Sequence, residues 1–200
     1  MSDTALLAKR VETLDPEFAK RMLKEPTTIT PYAADFFKNG AVTHVACNGR
    51  YGPVQMNVGV AGDFVVSLLG DPAAYFRLAA KAGLQLDTAA RRDAYVRVFL
   101  EATKDLSRRT QFLDAFPDYR KTDQTTPAET ERYNAIKKAL GPIVKPLALS
   151  PTAPFKGKAF ALVNWDLTEY QVALAADGKI TVAVQALEKN MPLCLQLTPK

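Results

Sequence analysis

Histidine is almost missing from this chain: His44 stands alone among 200 residues, beside two cysteines, Cys47 and Cys194, and one tryptophan, Trp165. Three nitrogen and sulfur ligands cannot complete a four-ligand structural zinc site within one chain. Two isolated cysteines also make no disulfide framework, which fits a reducing compartment. Long apolar runs are absent as well. The richest, Phe64 to Leu69, contains Ser67 and stops at Gly70, well short of the roughly 18 residues that span a bilayer. The opening residues show no basic stretch followed by an apolar core and a small-residue cleavage site. These absences predict a soluble, cytoplasmic protein with no membrane partner, no metal and no cofactor.

The phosphate-binding signatures fail too. A P-loop needs Gly-Lys followed by Ser or Thr, whereas Gly157-Lys158 and Gly178-Lys179 are followed by Ala159 and Ile180. Gly59-Val60-Ala61-Gly62 lacks the third glycine and the following helix of a dinucleotide fingerprint.

What is present is ordinary globular composition, 48% hydrophobic and 24% charged, enough apolar surface to build a core. The net charge of +5 raises the question of nucleic acid. The basic doublets, Lys9-Arg10, Lys20-Arg21, Arg91-Arg92, Arg108-Arg109 and Lys137-Lys138, are spread along the chain and mixed with acids. That pattern describes solvated helix faces rather than a basic pole, so nucleic acid is not the favoured partner.

Four dipeptides, Asp15-Pro16, Thr30-Pro31, Asp71-Pro72 and Thr126-Pro127, place a capping oxygen before a proline at the first helical position. They predict helices over 16–24, 31–39, 72–82 and 127–140. Glu129 adds the acidic half of a capping box to the last. A first helix is expected over 3–13, and Gly40 is expected as the left-handed stop of the helix over 31–39.

Val54, Met56, Val58 and Val60 alternate with polar or small residues, the period of a half-buried strand. With a second strand over 41–47 it forms a hairpin, and Asn48 to Pro53 suggests a longer connecting loop. Residues 88–106 suit either a strand or a helix; length favours a helix, and its pattern continues towards Phe112, Leu113 and Phe116.

Pro142, Pro146, Pro151 and Pro154 mark 141–155 as irregular. Beyond it, 158–165, 170–176, 179–187 and 193–198 read as an antiparallel meander. In the turn between the second and third of these strands, a three-residue loop, Ala176-Asp177-Gly178, keeps the apolar faces matched. It sets Leu174 opposite Ile180, Val172 opposite Val182 and Tyr170 opposite Val184, with Gly178 left-handed.

The fold class predicted is therefore α+β: a helical N-terminal region with a short β-hairpin, further helices, then a C-terminal antiparallel β-meander. One domain is expected, with lobes 1–140 and 156–200 joined by the Pro-rich segment 141–155.

Four residues stand out as ligand-binding candidates. Any histidine-dependent catalysis must use His44, which shares a strand face with Val42 and Ala46 while Cys47 points the other way. Against that role stands a packed histidine with no nominated nucleophile. Arg50 and Tyr51 sit in a Gly-framed loop and can engage an anion or a ring, or simply be exposed. Trp165 ends a strand and either lines a pocket mouth or fills the core.

Gly49-Arg50-Tyr51-Gly52-Pro53 resembles a short element in the C-terminal DNA-binding repeats of bacterial type I DNA topoisomerases, over five residues and in one copy. Leu14 to Pro26 resembles a helix of nitrile hydratase α-chains, without the cysteine-rich metal-binding string of those enzymes. Neither likeness transfers a function. The reading favoured is a non-catalytic binding or interaction protein for a small molecule or a protein partner. The alternatives are a small enzyme with a pocket between helices and sheet, and a nucleic-acid-binding protein.

Overall fold

In the computed structural model, which describes residues 3–50, 52–118 and 125–192, two capped helices lead the chain. They are α1 (Asp3–Val11) and α2 (Pro16–Lys24). Asp15 begins α2 as its composition demands: the carboxylate accepts from the Phe18 N–H at 2.9 Å, and Pro16 has no N–H to leave unpaired. Strands β1 (Thr27–Pro31), β2 (Ala41–Gly49), β3 (Gly52–Ala61) and β4 (Phe64–Ser67) follow, paired antiparallel in that order. Ala8, Val11, Phe18, Ala19 and Met22 of the two helices close over Val45, Cys47, Met56 and Val58 of the sheet.

The other face of this sheet carries α3 (Pro72–Ala82) and α4 (Ala89–Ala102). Asp71 and Thr88 cap them, and Gly83 ends α3 at φ 73°. Phe36, Phe37, Tyr75, Tyr95 and Phe99 form a cluster of edge-on and tilted rings, and the buried Tyr75 hydroxyl donates to the Tyr95 carbonyl at 3.0 Å.

The helix expected over 31–39 does not form. Thr30 and Pro31 pair with His44 and Thr43 in the β1–β2 ladder, and the Tyr32 N–H continues to the Val42 carbonyl at 2.9 Å. A capping dipeptide whose backbone is already committed to a strand cannot start a helix. The chain after it is fastened to the end of α3 instead, with Lys38 and Asn39 N–H donating to Gly83 and Ala82 carbonyls. Gly40 is needed for closeness rather than for a stop: a Cβ there would lie 2.5 Å from that of Ala82. Two further expectations change. The β2–β3 ladder runs out to Gly49 and Gly52, so only residues 50 and 51 connect the strands. Asn57 and Gly59 are buried as well as Met56 and Val58, because helices cover both faces of β3.

The second compact unit begins at Leu106. It contains β5 (Thr110–Leu113), α5 (Pro127–Leu140), β6 (Phe155–Val163), β7 (Asp166–Leu174) and β8 (Ile180–Glu188), with sheet order β5-β6-β7-β8. Thr126 and Glu129 make the capping box reciprocally. Tyr133 and Ile136 of α5 pack with Leu113, Phe160, Leu162 and Leu167 on one face of the sheet. The segment 141–155 belongs to this unit: Val144 enters that core, and the Ser150 N–H donates to the Lys156 carbonyl.

The fold is thus α+β, with a C-terminal meander. β5 occupies the stretch read as a continuation of α4; Thr103 ends that helix, its N–H and hydroxyl both bonded to the Phe99 carbonyl. The β7–β8 turn has the predicted form, with Leu174 opposite Ile180, Val172 opposite Val182, Tyr170 opposite Val184, and Gly178 at φ 87°. The strand read over 193–198 lies outside the described residues, as do Cys194 and Tyr51. Among the described residues no helix is long and apolar enough to cross a membrane.

Gly59 tests the packing of β3 under α3. A Cβ there would sit 2.5 Å from Leu78 Cδ2, and Leu78 is fully buried. Gly59→Ala is expected to cost about 1–3 kcal/mol of stability by overpacking, read as a lower urea midpoint with an unchanged slope.

Candidate functional site

Of the four sequence candidates, His44, Arg50 and Trp165 lie among the described residues, and His44 and Arg50 are not neighbours. Arg50 lies at the tip of the β2–β3 hairpin, exposed and six residues along β2 from His44, which is about 20 Å of strand. Trp165 belongs to the second unit. With Asn164 it makes a two-residue turn between β6 and β7, at φ 49° and 77°, shorter than the connection the sequence suggested. A positive φ is uncommon for a residue this large. The turn is held by the Asn164 amide oxygen accepting from the Arg109 N–H, and by the Met191 N–H donating to the Trp165 carbonyl. The indole is half-buried against the core of Leu167, Met191 and their neighbours.

His44 is half-buried, and the structure surrounds it with residues that sequence reasoning missed. Its Nδ1 lies 2.8 Å from Asn57 Oδ1. Asn57 is 1% exposed, and its amide nitrogen donates to the Ala102 carbonyl at 2.9 Å. Because that nitrogen is spent on α4, the amide oxygen faces His44 and must accept. Nδ1 therefore carries the proton in the neutral ring and Nε2 is left as an acceptor. Tyr32 is beside them: burial, then the Glu101 carboxylate, push its phenol up to about 12, against a hydrogen bond from Asn57 that lowers it. Glu101 is tied to Lys104 at 3.0 Å. Cys47, on the opposite sheet face, is buried with Val45 and Met56, so no Cys-His pair exists here.

A second feature lies on β6, β7 and β8. Lys156, Ala173 and Thr181 form one cross-strand row, and Lys158, Gln171 and Ala183 the next. They line an open groove of about 650 Å³. Ala173, Thr181 and Ala183 keep its floor low on β7 and β8, and Gln171 stands between Lys158 and Ala183. Gly157 has no room for a side chain: a Cβ would lie 2.7 Å from the Ala148 carbonyl oxygen. One row further on is Glu169, 4% exposed, whose carboxylate accepts from Lys158 at 2.9 Å and from Gln171 at 2.8 Å. Burial opposes its charge, but these two donors outweigh burial and hold its carboxyl below the usual range.

Comparison with protein families, curated proteins and solved structures finds no match, so neither short likeness noted above gains a family behind it. Among the described residues no group of three or more His, Cys, Asp or Glu side chains is placed to hold a metal ion. The alternation of Lys156, Lys158 with Gly157, and of Gln171 with Val172 and Ala173, was the available sequence signal for the groove. Tyr32 and Asn57 gave none, since a polar residue alternating in a strand reads as solvent-facing.

Lys158 neutralises a buried carboxylate, and Lys158→Met removes that donor. Lys158 is itself more than half exposed, so screening limits the loss to about 1–2 kcal/mol at pH 7. Since the carboxyl is depressed in the folded state, its contribution exists above the ordinary carboxylate range and is lost as pH falls through the folded value. Urea unfolding at pH 7 and at acid pH is expected to show wild type and variant converging at the lower pH.

Proposed function

We propose that this chain is a cytoplasmic, non-catalytic binding protein whose partner is an acidic protein segment laid across the open groove of β6, β7 and β8. The observation that carries this reading is the lining: exposed Lys156 and Lys158 stand beside a floor of small residues, with Gln171 and Thr181 as neutral hydrogen-bonding groups. Glu169 is already compensated by Lys158 and Gln171, so the charge the groove presents outward is positive. Lys179 adds a further exposed ammonium at the turn. A groove with one sign of charge selects partners of the other sign. An acidic segment fits better than single-stranded nucleic acid, because no aromatic ring lies among the lining residues to stack a base.

A poly-glutamate peptide is a direct probe. It is expected to shift the amide resonances of Lys156, Lys158, Gln171 and Thr181, and Lys156→Glu is expected to weaken binding about tenfold, roughly 1.4 kcal/mol. Binding of a DNA oligonucleotide with a steep salt dependence, and not of the peptide, would replace this reading by nucleic-acid recognition.

One observation favours a second reading, a small enzyme between helices and sheet of the first unit. The imidazole of His44 is fixed by Asn57 in the tautomer that leaves Nε2 able to take a proton, beside the Tyr32 phenol. Native mass spectrometry separates the two. A small molecule retained by wild type and lost from His44→Ala supports the enzyme or carrier, whereas a mass equal to the bare polypeptide leaves the groove as the binding surface.

A further inference from the structure

An unpaired sheet edge is a template for another strand, and proteins usually blunt it by shortness, proline or charge. Among the described residues the two sheets have four edges, and three of them follow that practice. β4 and β5 have four residues each, and β1 has five and ends in Pro31. β8 does not. It is nine residues long, carries no charge from Ile180 to Leu187, and its irregularity against β7 is confined to the far end, near Leu167 and Thr168. Val182 and Val184 are 37% and 59% exposed on it.

The direction of its backbone groups follows from the turn. The Ala175 N–H donates to the Lys179 carbonyl at 2.9 Å. Antiparallel ladders alternate hydrogen-bonded and non-bonded pairs, and the register continues unbroken from there to Ala186. Odd-numbered residues of β8 therefore point their N–H and C=O groups at β7. Ile180, Val182, Val184 and Ala186 point theirs outward.

We propose that a second copy of this chain covers this edge, its β8 running antiparallel to the first about a two-fold axis at Ala183. A two-fold perpendicular to the sheet pairs even residues with even and odd with odd. Centred on Ala183, it sets Ile180 against Ala186 of the second copy and Val182 against Val184, both as outward hydrogen-bonded pairs with apolar side chains on one face. On the other face Thr181 meets Gln185, and Ala183 meets itself, small enough for the closer spacing of a non-bonded pair. Asp177 at the turn comes near Lys189 of the second copy, opposite in charge. Centring on Val184 instead would set Lys179 against Lys189 and Glu188 against Ile180, pairings that cost rather than stabilise. Centred on Ala183 the strand is self-complementary and gains the Asp177–Lys189 pairing, and closure by a two-fold ends the pairing at two chains. The result is one eight-stranded sheet with both lysine-lined grooves on the same face, flanking the axis. This conclusion does not depend on what the groove binds.

The test is cross-linking at the axis, in the 200-residue chain carrying Cys194→Ser. Across a non-bonded pair the two Cα atoms are about 4.5 Å apart, within disulfide reach. Ala183→Cys is expected to give a disulfide-linked dimer on oxidation, and Thr181→Cys, which faces Gln185, is not. Sedimentation at about 100 µM should show a dimer for the parent protein. Val184→Pro, which removes an outward N–H and leaves the β7 ladder intact, should be monomeric with unchanged circular dichroism. A monomeric parent, a dimer that survives Val184→Pro, or cross-linking at 181 instead of 183 overturns the proposal. So does a monomer whose Val182 and Val184 amides resist hydrogen exchange, which would assign the edge to residues 193–200 of the same chain. Poly-glutamate binding measured on the parent protein keeps the two readings apart: a parent that binds but forms no dimer sinks only this one, and a dimeric parent that does not bind sinks only the groove.

Discussion

The left-handed residue at Gly178 is the constraint on which the second unit turns. With φ at 87°, it closes a three-residue loop and fixes which residue of β8 stands opposite which residue of β7. A slip of one position would move Ile180 off Leu174 and reverse every side chain of the strand. It would also exchange the backbone groups that face β7 with those that face outward. The burial of Leu174 and Ile180, the small-residue floor at Ala173 and Ala183, and the apolar outer pair Val182 and Val184 are therefore consequences of one turn.

The first unit depends on a different kind of constraint, a polar side chain buried on a strand and bonded on both sides. Asn57 is buried on β3, and its amide joins the imidazole of β2 to the last carbonyls of α4. Buried amides persist only when their bonds are made, so this one fixes how the end of α4 meets the sheet. The same requirement sets the orientation of His44. Its proton is placed by a neighbour whose own orientation is placed by a helix terminus.

Local chemistry made much of this readable in advance. Asp15, Asp71 and Thr126 start helices because their oxygens meet an orphan N–H, and that is a property of a few adjacent residues. The β7–β8 register was readable because apolar matching admits one loop length. Thr30-Pro31 failed because the same dipeptide can sit at the end of an edge strand, and only the partner β2 decides between the two. β4 and β5 escaped notice for a related reason: four residues carry too little periodicity, and Phe112 and Leu113 fit the tail of a helix until β6 is present to pair with them. Of the candidate site, His44 was visible by its solitude. Asn57 and Tyr32 were not, since their burial comes from helices distant in sequence.

The two surfaces of β8 share one strand without competing for it. Alternation sends Thr181, Ala183 and Gln185 to the face of the lysines and Ile180, Val182, Val184 and Ala186 to the other. The first set is neutral, and Thr181 and Ala183, which line the groove, are small enough to keep it open towards the edge; a lysine at 183 would guard the edge but fill the groove. The second set is apolar, and a charge there would guard the edge at no cost to the groove. That no such charge occurs between Ile180 and Leu187, while the other three edges are short or end in proline, means that among the described residues the usual protection is missing on the one long edge. A strand left unguarded on the face where a guard would leave the groove open is what the proposed pairing with a second copy would require.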